Sequence, residues 1–511
     1  MLGARQYRTA PAELGHAALA LWLIMPNSMK TRISTLLICM LVAVPCGAAD
    51  QALPELGDSS SAIVSPEVER EIGKTLMRQV RAQVPTIKDP LLKYYTEVQL
   101  YRLAEHSDLK RSTLFPVLID SPEINAFAAP GGVVGINLGL YTNSEDVHEY
   151  SAVIAHELAH LSQRHFARGI EMQQRQTLPY VAAMLASIVL AATVGGDAGL
   201  AAMSSTQAAA QASQLRYSRG REQEADRIGI ETLAASGLDP TAMSRMFERM
   251  QRVYRYTRRP PEFLLTHPIT ESRIADSRNQ ASRYGAPDGD SAAVPSEEFE
   301  LMRARALVHY AETPAVAVQL FRDRVERSGR SEAAVYGLVL ALSRAGRHDE
   351  ALESAGPLFA GHPDSIIYAG TEAELLIEAK RTREAIRLLQ DRLAINPDNQ
   401  PLSMLLARAL NREHRYREAE EVLERQSVLR PGDQDVWYDL AETAGLAGDI
   451  ITVHQARAEY FALVGAFQNA VQHLEYARSL ANPDDFRLIA SLDQRIRDFR
   501  AEMEEMREGN S

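Results

Sequence analysis

Residues 153–163 read VIAHELAHLSQ and place two histidines and a glutamate inside an apolar segment with helical spacing. On an α-helix, His156 and His160 project from one face, about 40° apart around the axis, so both imidazoles can reach one ion. Glu157 lies roughly 60° from His160, where a carboxylate can take a proton from a metal-bound water without binding the metal. The pattern predicts a zinc-binding helix with a general base. The alternative is two histidines hydrogen-bonded at the edge of a core.

A candidate for a third metal ligand follows further along the chain. Catalytic zinc usually keeps three protein ligands and one open position. The segment EQEAD begins at Glu222 and ends at Asp226, and helical spacing puts these two carboxylates on one face. We therefore expect Glu222 to be the third ligand and Asp226 to fix the tautomer of a ligand histidine through its second ring nitrogen. The alternative is a solvated acidic face, which is the role that we expect for Glu224.

A related class of zinc sites is excluded by the residues that follow His160. Its HExxHxxGxxH pattern needs a glycine and a third histidine, and this chain has Gln163 and Phe166 at those positions. His165 lies on the opposite side of the helix from His156 if the helix continues that far, so we expect a structural role for His165.

Two further segments complete an ordered set of four motifs. Residues 125–136 read NAFAAPGGVVGI ahead of the histidine helix, and residues 266–273 read THPITESR after the EQEAD segment. Together these motifs resemble those of the HtpX-like and CAAX-prenyl-endopeptidase-like zinc metallopeptidases, and most closely the soluble periplasmic branch of that family. The resemblance covers residues 65–285 by motif and implies a zinc-dependent endopeptidase with one Zn²⁺ per subunit.

The NAFAAPGGVVGI segment predicts a local structure of its own. Asn125, Ala126 and Phe127 precede a Pro-Gly-Gly turn, and an alternating apolar run that contains Val133 and Ile136 follows. This pattern predicts a β-hairpin beside the zinc helix. An exposed edge of the hairpin can pair with an extended peptide and hold its bonds over the metal. The alternative is a hairpin that only supports the helix.

Two residues of the THPITESR segment are candidates for the site by analogy with the family. The resemblance places His267 near the zinc, either as a hydrogen-bond donor to the transition state or as a fourth ligand that closes the open position and keeps the enzyme latent. A histidine that caps a helix before Pro268 is the third interpretation. Arg273 either stabilises the oxyanion or anchors the loop.

The N-terminus is typical of a secretory signal peptide over residues 1–49. Met29 begins a basic segment, an apolar run follows, and small residues lead up to Ala49. We expect the true start at Met29, cleavage after Ala49 and a periplasmic mature protein. Acylation of Cys46 as a lipoprotein is a weaker interpretation because a proline precedes it. Cys39 and Cys46 both lie in this segment, so we expect neither a disulfide nor a thiolate ligand in the mature chain.

Composition excludes several classes of protein. The chain has 511 residues, of which 46% are hydrophobic and 24% are charged, and its formal net charge is -12. These values indicate a globular multi-domain protein, and the acidic balance argues against a nucleic-acid partner. Residues 180–194 are apolar but fall short of the roughly twenty residues that span a bilayer. Residues 178–211 predict an Ala-rich helical hairpin, which is buried against protein or contacts a membrane surface.

A second region follows a predicted linker at residues 286–297. Small residues and prolines recur there with a spacing of 34 residues, at Ala317, Ala351, Ala385 and Ala419 and at Pro363, Pro397 and Pro431. This is the tetratricopeptide (TPR) period, with small residues where paired helices approach and proline between repeats. Gly329 takes the earlier proline position. We expect a TPR solenoid over residues 298–508 with a concave surface that binds proteins, and a generic helical bundle is the alternative.

The predicted protein is therefore mainly α-helical, with an α+β zincin-type metallopeptidase domain that contains a small sheet, followed by an α-solenoid of TPR repeats. Two functions stay open. The first is a periplasmic zinc endopeptidase; the family resemblance implies misfolded or stalled outer-membrane β-barrel proteins as substrates and the outer-membrane assembly machinery as a partner of the repeats. The second is a chaperone or adaptor for outer-membrane assembly with a latent or structural zinc site. An intact Glu157 favours the first, because a structural site needs no general base.

Overall fold

The protein is described here from a computed structural model. The residues that the structure describes are 64–109, 113–173, 219–255, 263, 267–284, 296–327 and 331–508. The predicted signal peptide, the Ala-rich segment at 178–211, Gly329 and most of the predicted linker lie outside these residues. Helices dominate the described residues, which contain one three-stranded sheet, so the prediction of a mainly α-helical fold with a small sheet is confirmed. None of the described helices is long and apolar enough to cross a membrane.

Two helices and the sheet begin the described chain. Helices α1 (Pro66–Gln83) and α2 (Pro90–Glu105) start with proline, and Ser65 and Asp89 cap them by accepting hydrogen bonds from first-turn amides. Strand β3 lies between the other two strands, parallel to β1 and antiparallel to β2. The strands are β1 (Phe115–Ile119), β2 (Ala126–Ala129) and β3 (Val133–Asn137). Strand β2 is therefore an edge of the sheet.

The hairpin predicted from the Pro-Gly-Gly segment is present. A single 3-10 turn, Pro130–Gly132, joins β2 to β3, and Gly131 and Gly132 have φ values of 76° and 82°. Residues with side chains rarely adopt this left-handed conformation, so the turn favours glycine at both positions. The register pairs Ala126 with Ile136 and therefore fixes which face of β2 meets the next helix.

The histidine helix packs against β2. After the short helix α3 (Gly139–Asn143), helix α4 (Val147–Ser162) begins at its N-cap Asp146 and is buried along almost its whole length. Helix α4 ends at Ser162, Arg164 takes a left-handed φ of 48°, and a separate helix α5 (His165–Gln173) follows. The helix does not continue to His165, so the orientation that a continuous helix implies for that side chain is wrong.

Helix α6 (Arg219–Ala235) carries the EQEAD segment and packs directly on α4. A Cβ atom at Gly229 would lie 3.1 Å from the backbone nitrogen of His156 and 2.9 Å from the Met243 methyl carbon. The lack of a side chain at Gly229 therefore lets the two helices approach closely enough to share a site. Helices α7 (Ala242–Arg255) and α8 (Glu271–Ala281) complete this N-terminal region.

The repeat array consists of paired helices whose spacing follows the predicted period. Its helices are α9 (Ser296–Tyr310), α10 (Pro314–Arg327), α11 (Glu332–Arg344), α12 (His348–Gly361), α13 (Ile366–Glu378), α14 (Thr382–Ile395), α15 (Gln400–Arg412), α16 (Tyr416–Leu429), α17 (Gln434–Ala447), α18 (Ile450–Leu463), α19 (Phe467–Leu480) and α20 (Phe486–Glu508). The four alanines of the period, at 317, 351, 385 and 419, are fully buried, as expected where paired helices approach. The periodic prolines, at 363, 397 and 431, lie between helices. Helix α9 starts two residues before the predicted boundary at 298.

The N-terminal region and the repeat array share one hydrophobic core. Tyr141 and Tyr150 of the N-terminal region pack around Phe299 of α9, with ring centroids 5.8 and 5.4 Å from the Phe299 centroid. The same cluster of buried residues extends to Leu375 of α13. The first repeats are therefore fixed on the N-terminal region by burial of apolar surface.

Charged contacts extend this junction to the later repeats. Lys93 of α2 lies 3.1 Å from Asp433 and 2.8 Å from Asp435, and these carboxylates raise its pKa although burial alone would lower it. Arg430 Nη1 lies 2.8 Å from Glu97 Oε2 of α2. Helix α2 is thus held by the array from one side while its other side packs in the N-terminal core.

Candidate metal centre

The two histidines of the HExxH motif meet at their Nε2 atoms. These atoms are 3.0 Å apart, the two rings are almost perpendicular, and both side chains are buried. The spacing of four residues on α4 produces this arrangement, because such residues lie on one helical face. The structure thus brings His156 and His160 to one point.

Helix α6 and the segment before α8 bring two more groups to the same point. Glu222 Oε2 lies 3.4 Å from His156 Nε2, and Glu222 Oε1 lies 3.5 Å from His160 Nε2. His267 Nδ1 lies 3.2 Å from both Glu222 oxygens. The four side chains are buried and offer ligand atoms that all lie within 4.8 Å of one another. Two imidazoles and a carboxylate match the ligands of catalytic zinc, so this donor set fits a metal ion.

His267 is held by local contacts as well as by the cluster. Its backbone nitrogen donates a hydrogen bond to the Phe263 carbonyl at 2.7 Å, and its ring stacks on the Phe263 ring with centroids 4.8 Å apart. Its other ring nitrogen, Nε2, lies 3.4 Å from Glu157 Oε1. His267 therefore contacts both the ligand cluster and the glutamate of the motif.

Glu157 lies between the cluster and the edge strand. Its Oε2 accepts a hydrogen bond from the Ala128 backbone nitrogen of β2 at 3.0 Å, and its Oε1 accepts none from the described residues. Burial raises the pKa of Glu157, and the nearby His267 and His156 oppose that rise. Oε1, which lies 3.4 Å from His267 Nε2, is thus the carboxylate oxygen that can receive a proton beside the ligand cluster.

The edge strand that carries Ala128 begins with the predicted substrate-pairing residues. Ala126 and Phe127 are the first residues of β2, and Asn125 precedes them, buried, with its carbonyl accepting from the Asn137 backbone nitrogen at 3.0 Å. Ala128 is not predictable from the sequence, because no side chain marks a backbone amide that points to the site. In the part of the chain that the structure describes, the edge of β2 that pairs with no other strand thus lies beside the metal ligands.

A second layer of charged groups surrounds the ligands. His156 Nδ1 lies 3.0 Å from Asp226 Oδ1, on the side of the ring opposite the cluster. Arg273 binds Asp226 through two hydrogen bonds of 2.7 Å and lies 3.0 Å from Glu222 Oε2. Arg273 also donates to the Pro268 carbonyl at 2.8 Å, which ties the segment that carries His267 to the carboxylates. Of the two interpretations of Arg273, this geometry favours the loop anchor.

His165 and Glu224 form a chain of contacts behind His160. His165 Nδ1 lies 2.7 Å from His160 Nδ1, and His165 Nε2 lies 3.0 Å from Glu224 Oε2, which also accepts from Arg168 at 3.0 Å. The Glu224 side chain is 30% exposed, in keeping with the expected solvated face, but it also pairs with His165 and Arg168. If His165 Nε2 donates to Glu224, then His165 Nδ1 accepts a hydrogen bond from His160 Nδ1. His160 then carries its proton on Nδ1, which leaves the lone pair of its Nε2 directed at the cluster.

The pKa values of the two motif histidines are shifted in opposite directions. Burial alone would lower the pKa of His156, but Asp226 and Glu222 beside it raise that pKa to about 9. Burial lowers the pKa of His160 well below its usual value, and the neighbouring His156 adds to this effect. Burial lowers the pKa of His165 to about 4 and outweighs the hydrogen bond to Glu224. A buried cluster of mutually perturbed groups of this kind is typical of a functional site.

Comparison with known proteins agrees with this geometry. Residues 91–281 match Peptidase family M48, and residues 376–441 match the tetratricopeptide repeat. The beta-barrel assembly-enhancing protease of Escherichia coli (strain K12) is 34% identical over 477 residues, which are 91% of this chain and 96% of that protein. The protein of the same name from Yersinia pestis is 32% identical over 476 residues, 90% of this chain and 97% of that protein.

A more local similarity extends to eukaryotes. The mitochondrial metalloendopeptidase OMA1 of Bos taurus is 30% identical over 159 residues, which are 30% of this chain and 30% of that protein. This similarity therefore covers less than a third of either protein. The M48 match, the relatives that align over nearly the whole chain and the ligand cluster lead to one conclusion. The chain belongs to peptidase family M48 and is a metallopeptidase with a C-terminal TPR array.

Proposed function

We propose that this metallopeptidase is a periplasmic zinc endopeptidase that acts on outer-membrane β-barrel proteins. The observation that carries the proposal is the buried convergence of His156, His160 and Glu222 with Glu157 beside them. A purely structural zinc site would need no buried carboxylate such as Glu157 next to its ligands. Relatives named as beta-barrel assembly-enhancing proteases align over 91% of the chain, which supports the substrate class.

In this proposal, His156, His160 and Glu222 hold one Zn²⁺. When bound there, the ion would polarise the carbonyl of the scissile peptide bond and make a nearby water more acidic. Glu157 takes the proton of the attacking water on its Oε1 and delivers it to the leaving amine. Ala128 keeps the other carboxylate oxygen in place through its backbone amide.

The substrate is proposed to lie along β2. Because β2 is an edge strand, an extended peptide can add to it through main-chain hydrogen bonds, independently of the peptide's side chains. Ala126 and Phe127 begin this strand, directly after Asn125, and the strand packs on the helix that carries Glu157. A peptide paired there would carry its backbone past the ligand cluster. Pairing of this kind suits unfolded β-barrel chains, which are made of strand-forming segments.

Asp226 and Arg273 are proposed to position the ligands. Asp226 contacts the His156 nitrogen that faces away from the cluster and fixes the ring's tautomer. Arg273 neutralises Asp226 and Glu222 and binds the Pro268 carbonyl, so it joins the ligands to the His267 segment.

His267 is proposed to be a fourth ligand that keeps the enzyme latent. Its Nδ1 lies among the ligand atoms, 3.4 Å from His156 Nε2, where it competes with substrate for the open position. The alternative is a hydrogen-bond donor to the transition state. The two roles predict opposite effects of His267→Ala on proteolysis. Self-cleavage should rise if His267 blocks the open position, and the rate of cleavage should fall by about 10²-fold if His267 donates a hydrogen bond to the transition state.

Three proteins decide between these roles: wild type, His267→Ala and the His267→Ala, Glu157→Gln double variant. The double variant controls for contaminating protease, because it lacks the proposed base. Faster self-cleavage of the single variant alone supports latency. An inactive single variant that keeps its metal overturns latency in favour of transition-state donation.

The repeat array is proposed to recruit the outer-membrane assembly machinery. For residues 178–211, burial against protein stays the favoured prediction and contact with a membrane surface the alternative. The function itself is tested by incubating the purified protein with an unfolded outer-membrane β-barrel protein, with and without a zinc chelator. Cleavage that the chelator abolishes and added Zn²⁺ restores is the expected result. Cleavage that persists after metal removal, or stabilisation of the β-barrel protein without cleavage by any variant, would favour a chaperone with a structural site.

A further inference from the structure

A cavity of about 450 Å³ lies in the first repeats, away from the metal centre. Its walls come from α9, α10 and the first turn of α11. The charged groups in those walls are the guanidinium groups of Arg303, Arg324 and Arg327 and the carboxylate of Glu300. Three positive charges against one negative charge give this cavity a basic lining in a chain whose net charge is -12.

Two of these arginines have no carboxylate partner among the described residues. Arg324 lies over the Phe321 ring, with its guanidinium carbon 5.3 Å from the ring centroid. Arg327 donates through Nε to the backbone carbonyl of Asp323 at 3.0 Å. Only Arg303 pairs with Glu300, at 3.3 Å. Most exposed arginines of the repeats do pair with an acid, as Arg322 on the same helix α10 pairs with Glu350.

Arg324 is partly buried, and the positive charges of Arg303 and Arg327 repel it. The pKa of Arg324 is lowered by burial and by the nearby Arg303, and Glu300 is the carboxylate that opposes this effect. Partly desolvated charges of one sign are unfavourable unless a counter-charge joins them. The lining therefore has the electrostatics of a site for an anion.

The geometry of the groups indicates the class of anion. Guanidinium groups present a planar fork of donors that matches the oxygens of phosphate in two-point contacts. Ala333 and Ala334 line the same cavity in the first turn of α11, where backbone amides have no partner within the helix. A lining with an excess of two positive charges complements a phosphate dianion.

We propose that this cavity binds a phosphate group, either as free phosphate or as the phosphomonoester head group of a lipid. The site goes beyond the proposed proteolysis and uses none of its residues. Arg303 also donates to the Glu145 carbonyl at 3.0 Å, so the cavity adjoins the start of the metal-binding helix α4.

Calorimetric titration of the full protein with inorganic phosphate at constant ionic strength is the first test. We expect saturable binding that Arg324→Gln and Arg327→Gln each weaken roughly tenfold, the scale of one lost charge-assisted contact. Arg322→Gln is the matched control, because it removes the same charge from the same helix outside the cavity. Arg327 is exposed, so its variant keeps the test valid if Arg324→Gln fails to fold.

The second test separates the two sources of phosphate. The protein is sedimented with phosphatidylcholine vesicles that contain or lack phosphatidic acid. A lipid head group is supported if the protein sediments only with vesicles that contain phosphatidic acid and Arg324→Gln abolishes this. A small soluble anion is supported if the protein binds phosphate but does not sediment with the vesicles. Absence of both, or an equal loss of binding in Arg322→Gln, would overturn the site.

Discussion

The metal centre and the repeat array use charged residues in opposite ways. In the metal centre, charges are buried and converge from segments far apart in the chain: the Arg273 and Asp226 side chains are 4% and 6% exposed. In the array, most charged pairs are exposed: the Arg415 and Glu418 side chains are 40% and 51% exposed and lie three residues apart at the start of α16. The same chemical pair therefore serves different purposes in the two regions.

The difference follows from the dielectric environment. An exposed ion pair contributes little to the free energy of folding, because water screens the charges and the side chains lose conformational freedom. A buried pair loses its hydration, and removing one partner leaves an uncompensated charge. Buried charges are therefore kept where they orient groups for chemistry, whereas the repeats derive their stability from buried alanine and leucine contacts between neighbouring helices.

One residue of the array departs from this division. Arg305 of α9 is buried, donates to the Tyr336 hydroxyl at 2.7 Å and to Thr371 at 2.9 Å, and pairs with Asp89 and Glu374 at 2.5 Å each. Asp89 caps α2 in the peptidase region. A buried ion network thus appears in the array at the place where the array joins the peptidase region.

The largest effect is expected in the metal centre, from Glu157→Gln. The amide cannot accept a proton, so proteolysis should fall by about 10³-fold, while the bound metal and the melting temperature stay close to wild type. Peptide cleavage and metal analysis of the same sample measure both. Glu231→Gln, an exposed position on α6, is the control, and near wild-type cleavage by Glu157→Gln would remove this residue from the mechanism.

The next effect is expected at the junction. Arg305→Met should lower the free energy of unfolding by about 3 kcal/mol, because the partly buried carboxylates of Asp89 and Glu374 lose their buried counter-charge. Arg415→Met removes the same charge from an exposed pair and should cost less than about 1 kcal/mol. Urea titration followed by circular dichroism compares them. An equal loss of unfolding free energy in Arg305→Met and Arg415→Met would show that burial does not make one ion pair more important for stability than the other.

A smaller effect is expected from Asp226→Asn. The amide keeps the size of the carboxylate but holds the His156 tautomer less firmly, so zinc affinity should fall roughly 10- to 100-fold. Competition with a chromogenic chelator gives the affinity. An unchanged affinity would assign Asp226 to the Arg273 anchor alone.

Spacing along the chain was enough to predict the inner part of the site. His156, Glu157 and His160 lie on one helix, and their relative positions depend only on helical geometry. Glu222 and Asp226 follow from the same rule on α6. The period of 34 residues likewise predicted the paired helices, because each repeat contacts mainly its neighbours.

Contacts between distant segments were not predictable from spacing. Helix α4 stops at Ser162, and the left-handed Arg164 turns His165 back toward His160, where it also contacts Glu224. The contact between Lys93 of α2 and Asp433 of the array also could not be predicted from the sequence, because lysine and aspartate are equally common on solvated surfaces. Tertiary packing, which no local pattern records, decides both features.

Zinc content of Glu222→Ala tests the central claim most directly. This residue joins α6 to the two histidines of α4 and is the only carboxylate in the proposed ligand set. The account therefore predicts that its removal leaves imidazole ligands without an anionic partner, and that these lose the ion on dialysis. Wild type and Glu231→Ala should keep one zinc per chain under the same dialysis. Retention of stoichiometric zinc by Glu222→Ala, with loss in Glu224→Ala instead, would contradict the proposed ligand set.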